Sequence, residues 1–181
     1  MFLNGYKVIS QKSIVFVVLY LFSLAIQAGS LKLVSPAFSN SSQIPKQYTC
    51  EGADVSPPLF WQNPPADTQS FVLIVDDVDA PAGDWVHWLL FNIPADVWLL
   101  SEAAEVPKGA LSGQNGWGQT NYRGPCPPGG KHHYFFKLYA LDTVLNLKSG
   151  ATKQDLLDAM HDHVLETSEL MGIYNKEGNA Y

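Results

Sequence analysis

The chain has 181 residues, 46% of them hydrophobic, which suits one domain with a real core. Its 17 acidic and 11 basic side chains give a formal charge of −6, which argues against non-specific nucleic-acid binding. No repeat or low-complexity tract divides it further.

Residues 1–12 carry Lys7 and Lys12 and no acids, residues 14–26 are almost unbroken hydrocarbon, and "QAGS" follows with small Ala28 and Gly29. The apolar run of 13 residues falls short of the roughly 20 that a helix needs to cross a bilayer, so it reads as a secretory signal, with an uncleaved anchor as the alternative. Cleavage is expected after Ala28, where Ile26 is a tolerable residue at minus three, and no cysteine follows to take a lipid. This leaves one domain, residues 29–181, in the periplasm or outside the cell. The loss of two lysines takes its formal charge from −6 to −8. Only Cys50 and Cys126 are present, and export would place them in an oxidising compartment. One disulfide between distant loops is expected, with two free thiols as the alternative. The absence of a C-x-x-C spacing argues against a zinc or redox site.

In chain order, "LKLVS" reads as a short strand, and "PAFSNSSQIPKQYTCEGADVSPP" reads as a long ordered loop. "SFVLIVDD" follows, with five successive apolar residues at 71–75. A run that short and that rich in β-branched types predicts a central strand covered on both faces. "VHWLLFNIP" and "HHYFFKLYALD" repeat the pattern. Glycines and prolines exclude regular helix or central strand from "SGQNGWGQTNYRGPCPPGGK", residues 112–131. A loop of that length usually has a task. Near the end, Thr152 and Asp155 form a capping-box pattern ahead of Leu156, Leu157, Met160, Val164 and Leu165, which predicts a helix. The sum is a mainly β domain: an antiparallel β-sandwich with a C-terminal helix.

The chemistry concentrates in "DDVDAPAGDWVHW", residues 76–88. Asp76 and Asp77 leave a buried strand, where carboxylates need partners. Pro81 breaks the strand, and alternation puts Trp85 and His87 on one face of the next. Taken singly, Asp77 is accounted for by a turn cap and His87 by an ordinary core position. His132 and His133 are adjacent and point to opposite faces. His161 and His163, two apart on the expected helix, diverge as well, so no metal site is supported. No G-x-S-x-G elbow marks a hydrolase. If the segments meet, they form an anion cup: His87 and Tyr134 as donors, backbone at Gly124, and walls from Pro81, Trp85 and Pro125. Asp77 would orient His87 or meet a cationic group on the ligand.

In this order, "YTCEGADVSPPLFW", "DVDAP" with "WVHW", and "GPCPPGGKHHYFFKLYALD" resemble the phosphatidylethanolamine-binding protein family, in its bacterial branch of Raf kinase inhibitor-like proteins. The likeness runs over residues 31–174. It implies a large sheet packed on a smaller one and a small surface pocket for phosphate, acetate or phospholipid headgroups, with no cofactor. It carries the family's pocket positions onto Asp77, Asp79, Pro81, Trp85, His87, Gly124, Pro125, His132 and Tyr134. Two residues depart from the family pattern. His133 stands where an arginine is frequent, which makes any salt bridge there pH-dependent, and Val78 replaces a proline of eukaryotic members.

The role expected is non-enzymatic binding of an anionic or phosphorylated group, with the membrane reached only through lipid headgroups. The alternatives are an inhibitor or signalling partner of a protease or kinase through the pocket rim, and a hydrolase of small esters. A homodimer is expected by analogy with bacterial members that pair.

Overall fold

The computed structural model describes residues 29–176; the expected signal, residues 1–28, lies outside the described residues. Strands β1 (Lys32–Val34), β3 (Leu59–Gln62) and β6 (Leu99–Leu100) make a three-stranded sheet in the order β1-β3-β6. Strands β2 (Ser42–Gln43), β4 (Ser70–Asp77), β5 (Trp85–Pro94), β7 (Leu111–Ser112), β8 (Lys131–Leu141) and β9 (Val164–Asn175) make a six-stranded sheet in the order β2-β9-β8-β4-β5-β7. One helix, α1, spans Lys153–Met160.

Every residue of β4 is buried, because both faces of the large sheet are covered. On one face Phe71, Leu73 and Val75 of β4 meet Leu33, Leu59, Trp61 and Leu100 of the small sheet. Trp61 packs edge-on against Phe71 at 5.4 Å between ring centres. On the other face Val72 and Ile74 meet Leu145 and, from α1, Leu156 and Met160. Each such side chain contributes about 2 kcal/mol when fully buried. The uninterrupted apolar run of β4 is what a strand needs when neither face sees water.

The capping box forms as the sequence predicts: the Thr152 hydroxyl accepts from the amide of Asp155, whose carboxylate accepts from the amide of Thr152. The helix is shorter than expected, however, and it is not the last element. It ends at Met160. A turn follows, with Asp162 in the left-handed region at φ 66°, and Val164 and Leu165 open β9 instead. His161 and His163 therefore flank that turn and do not share a helix. The cause is tertiary: β9 pairs along the whole length of β8, from Lys131↔Asn175 to Leu141↔Val164, and this ladder overrides a local apolar spacing that also fits a helix. A second correction concerns strand direction. β2 pairs β9 in parallel, so the large sheet is mixed, not wholly antiparallel.

At the end of β4, successive side chains point to opposite faces. Asp76, fully buried, lies on the helix side, where Lys153 Nζ is 2.6 Å from Oδ2 and Lys137 Nζ is 3.0 Å from Oδ1. Lys153 also reaches Asp84 at 3.1 Å, which ties the loop after β4 to the first turn of α1. Replacing Asp76 with Ala removes the centre of this network, takes the carboxylate from Lys137 and leaves Lys153 with Asp84 alone. It is expected to cost about 3 kcal/mol in urea unfolding, while the exposed Asp67→Ala is expected to stay within about 0.5 kcal/mol of the parent.

Candidate functional site

Asp77, on the opposite face from Asp76, is 4% exposed and borders a cavity of about 260 Å³. Around it are Ala80, Pro81 and Ala82 from the loop after β4, Trp85 and His87 from β5, Trp117, Cys126, Pro127 and Pro128 from the long loop before β8, and His132 from β8. Its buried polar lining is Asp77, His87 and His132; the other walls are apolar or aromatic.

A β-bulge aims His87. Val75 is opposite Trp88 while Asp76 is opposite Val86, so His87 is the unpaired extra residue of β5. The bulge lets Trp88 stay in the core and turns His87 toward the cavity, alongside Trp85. The ring of His87 is held by its Nδ1, which donates to the carbonyl of Arg123 at 2.6 Å, and it packs edge-on against Tyr134 and Trp117, each at 5.2 Å. Burial lowers the His87 pKa below its ordinary value, against the opposing pull of the Arg123 carbonyl and the charge of Asp77. Asp77 accepts from His132 Nδ1 at 2.8 Å and from the amide of Asp79 at 2.9 Å. It thus orients His132, where the sequence reading had it orient His87.

The long loop is strapped to the segment around Cys50. Cys50 and Cys126 form the disulfide, Cys50 N donates to Pro125 O at 3.1 Å, and the Tyr122 hydroxyl donates to Tyr48 O at 2.8 Å. Asp54 accepts from the amide of Gly124 at 2.6 Å and pairs with Arg123 at 3.2 Å. A side chain at Gly124 would lie 2.2 Å from Tyr48 O, so only glycine permits this approach. The strap in turn places the Arg123 carbonyl on His87.

Of the residues singled out in the sequence, Asp77, Pro81, Trp85, His87 and His132 line the cavity. The rest stand beside it. The Gly124 amide is engaged by Asp54, and the Pro125 carbonyl by Cys50. Asp79 faces away, accepting from His133 N at 2.8 Å and His133 Nδ1 at 2.6 Å. These bonds hold the Asp79 carboxyl below its ordinary pKa. Tyr134, opposite Asp77 in the β4–β8 ladder, is fully buried; its hydroxyl approaches Asp77 without hydrogen-bond geometry, and burial raises its pKa.

The sequence reading missed Trp117, Pro127, Pro128 and the residue that shapes their loop, Asn115. Buried Asn115 accepts from the amides of Trp117 and Gln119, both at 3.0 Å, and donates to Asn121 O at 2.8 Å. A tryptophan flanked by glycines inside a long loop, "NGWG", was the available signal. Gly116 has no room for a side chain, since a Cβ there would sit 2.4 Å from the Trp85 ring.

The model of the phosphatidylethanolamine-binding protein family matches residues 34–175. A UPF0098 protein of Methanothermobacter thermautotrophicus is 49% identical over 150 residues, 81% of this chain and 99% of its own length. Among solved structures, a homolog of this family from Chlamydia trachomatis superposes with a TM-score of 0.79 at 44% identity, covering 82% of this chain and 99% of that one. Escherichia coli YbcL, described as a member of the mammalian family, gives 0.77 at 30% identity and covers 82% of this chain and all of its own. The chain belongs to the phosphatidylethanolamine-binding protein family.

Opening the disulfide, by Cys50→Ser with Cys126→Ser, releases a cross-link between residues 76 apart in sequence. It is expected to cost about 4 kcal/mol in chemical denaturation. Gly116→Ala is expected to displace Trp85, seen as a change in tryptophan fluorescence, and to destabilise by about 1–3 kcal/mol.

Proposed function

We propose that the protein is a non-enzymatic binding protein that takes a small anionic, phosphate-bearing group into this cavity. Members of its family are anion- and phosphate-binding proteins. The observation that carries the reading is the convergence of His87, His132 and Asp77 from three adjacent strands at the base of one apolar-walled hollow. At about 260 Å³ the hollow is smaller than the roughly 300 Å³ at which drug-sized sites begin, so it suits a headgroup and not a whole lipid. The disulfide accords with an oxidising compartment, and we place the protein in the periplasm or outside the cell.

The lining narrows any covalent chemistry to Asp77 and the two imidazoles. Its sulfur is locked in the disulfide, and no serine, threonine or lysine borders the cavity among the described residues. The Asp77–His132 pair favours one rival, water activation for ester hydrolysis. A screen of small phosphate and acyl esters against the parent and Asp77→Asn tests it; turnover by the parent that the variant loses would establish the rival.

The pH dependence has a definite sign. A charged His87 exists only below its lowered pKa, so its attraction for an anion is present in acid and fades as pH rises, starting below the ordinary value of about 6.5. Calorimetry with phosphoethanolamine between pH 5 and 8 is expected to show affinity falling as pH rises. His87→Ala is expected to weaken binding about tenfold at pH 5. Unchanged binding in the variant, or no heat from the parent at any pH, defeats the reading.

A further inference from the structure

Resting on the anion cavity proposed above, a further question is which anion it takes, and hydrogen positions decide it. A neutral imidazole carries one N–H and one bare nitrogen. His87 Nδ1 lies 2.6 Å from the carbonyl of Arg123, an atom that only accepts, so the proton of the neutral ring sits on Nδ1. His132 Nδ1 lies 2.8 Å from the Asp77 carboxylate, so that nitrogen carries a proton as well. Both rings border the cavity, and with both Nδ1–H groups spent, each has only Nε2 to offer a ligand. In a neutral ring that atom is an acceptor.

The remaining buried groups do not reverse this. Asp77 is itself an acceptor, and its second oxygen already takes the amide of Asp79. The amide of Gly124 is spent on Asp54. Among the described residues no lysine, arginine, serine, threonine or tyrosine lines the cavity, and Trp85 and Trp117, whose indoles carry N–H donors, are less buried than the two histidines. The charges near His87 are Asp77, Asp54 and Asp76, which favour a protonated ring, but burial outweighs them. Neighbouring Tyr134 stays protonated, and the Arg123 guanidinium is paired with Asp54. At His87 the base of the cavity therefore presents a bare nitrogen at neutral pH. It opposes an anion made only of acceptors and complements one that brings a proton of its own.

We propose that the cavity selects phosphomonoesters in their singly protonated form over phosphodiesters, with the ligand's P–OH donating to His87 Nε2. A diester has no such proton to give, so it leaves Nε2 facing a second acceptor. The preferred ligand is thus a free phosphorylated small molecule and not the diester headgroup of an intact phospholipid.

Calorimetry on the full protein at pH 7 with phosphoethanolamine and with glycerophosphoethanolamine compares a monoester with a diester bearing the same amine. The singly protonated monoester is expected to bind about tenfold more tightly than the diester, the scale of one unmatched buried acceptor, once its apparent affinity is corrected for the roughly one tenth that carries that proton at pH 7. Because its second pKa is about 6, its binding is expected to take up most of a proton, read from titrations in buffers of different ionisation heat. Lowering the pH raises the singly protonated fraction of the monoester and leaves the diester unchanged, so the apparent gap is expected to widen until His87 itself protonates, below its ordinary range because the ring is buried. His87→Gln, whose amide both donates and accepts, is expected to bring the two esters within about threefold at pH 7. Equal affinities of the parent at pH 7 for the diester and for the singly protonated monoester, or monoester binding without proton uptake, overturn the selection while leaving the anion site standing. Silence from both esters at every pH removes the anion site, and the selection with it.

Discussion

Two neighbouring carboxylates at the end of the most buried strand organise the molecule. Asp76 and Asp77 cannot remain charged in the interior without partners, and strand alternation sends them to opposite faces of the large sheet. Asp76 gathers Lys137 and Lys153 and with them anchors α1. Asp77 gathers His132 and the amide of Asp79 and so fixes both the base of the cavity and the turn that leaves it. In that turn, Pro81 sits inside a bend closed by the Gly83 amide on Ala80 O, with Gly83 in the positive φ that suits glycine. One strand end thus ties the structural side of the sheet to its binding side.

The second imidazole is positioned by quite different means. No carboxylate holds His87; a backbone carbonyl does, and that carbonyl is in place because the segment around Arg123 is strapped to the segment around Cys50 by a disulfide, by Asp54 and by Tyr122. A carbonyl, unlike a carboxylate, brings no full charge to favour an imidazolium. The cavity consequently contains two histidines, each engaged through Nδ1, in different electrostatic settings. One is backed by a charge and the other by a dipole, and the burial of the second keeps it neutral. Proton bookkeeping, more than net charge, is what such a hollow offers a ligand.

Much of this arrangement is legible in the residues, and the exceptions are instructive. The apolar run at 71–75 marks the central strand, and the Thr152–Asp155 pattern marks the start of the helix, because both signals are local. The end of the helix is not legible. Val164 and Leu165 continue its apolar spacing, and only pairing with β8 draws them into a strand. Gly124 illustrates the same limit in the site. Glycine does signal a close approach there, but the group that approaches is the loop around Tyr48 and Asp54, distant in sequence, so the amide that sequence reasoning assigned to a ligand serves the strap. Trp117 was passed over because nothing near it in the chain says that its loop folds back over His87.

The sequence by itself determined the β-rich class, the covered central strand, and the cysteine, histidine and acid positions from which a bridge and a site would have to be built. These follow from hydropathy, turn chemistry and residue type, which act over a few neighbours. Only the tertiary structure decided which partner each polar group took: His132 for Asp77, the Arg123 carbonyl for His87, Asp54 for the Gly124 amide. Those choices depend on the register of β4 with β8 and on the bulge in β5, both set by contacts between residues far apart in the chain, and no local pattern encodes them.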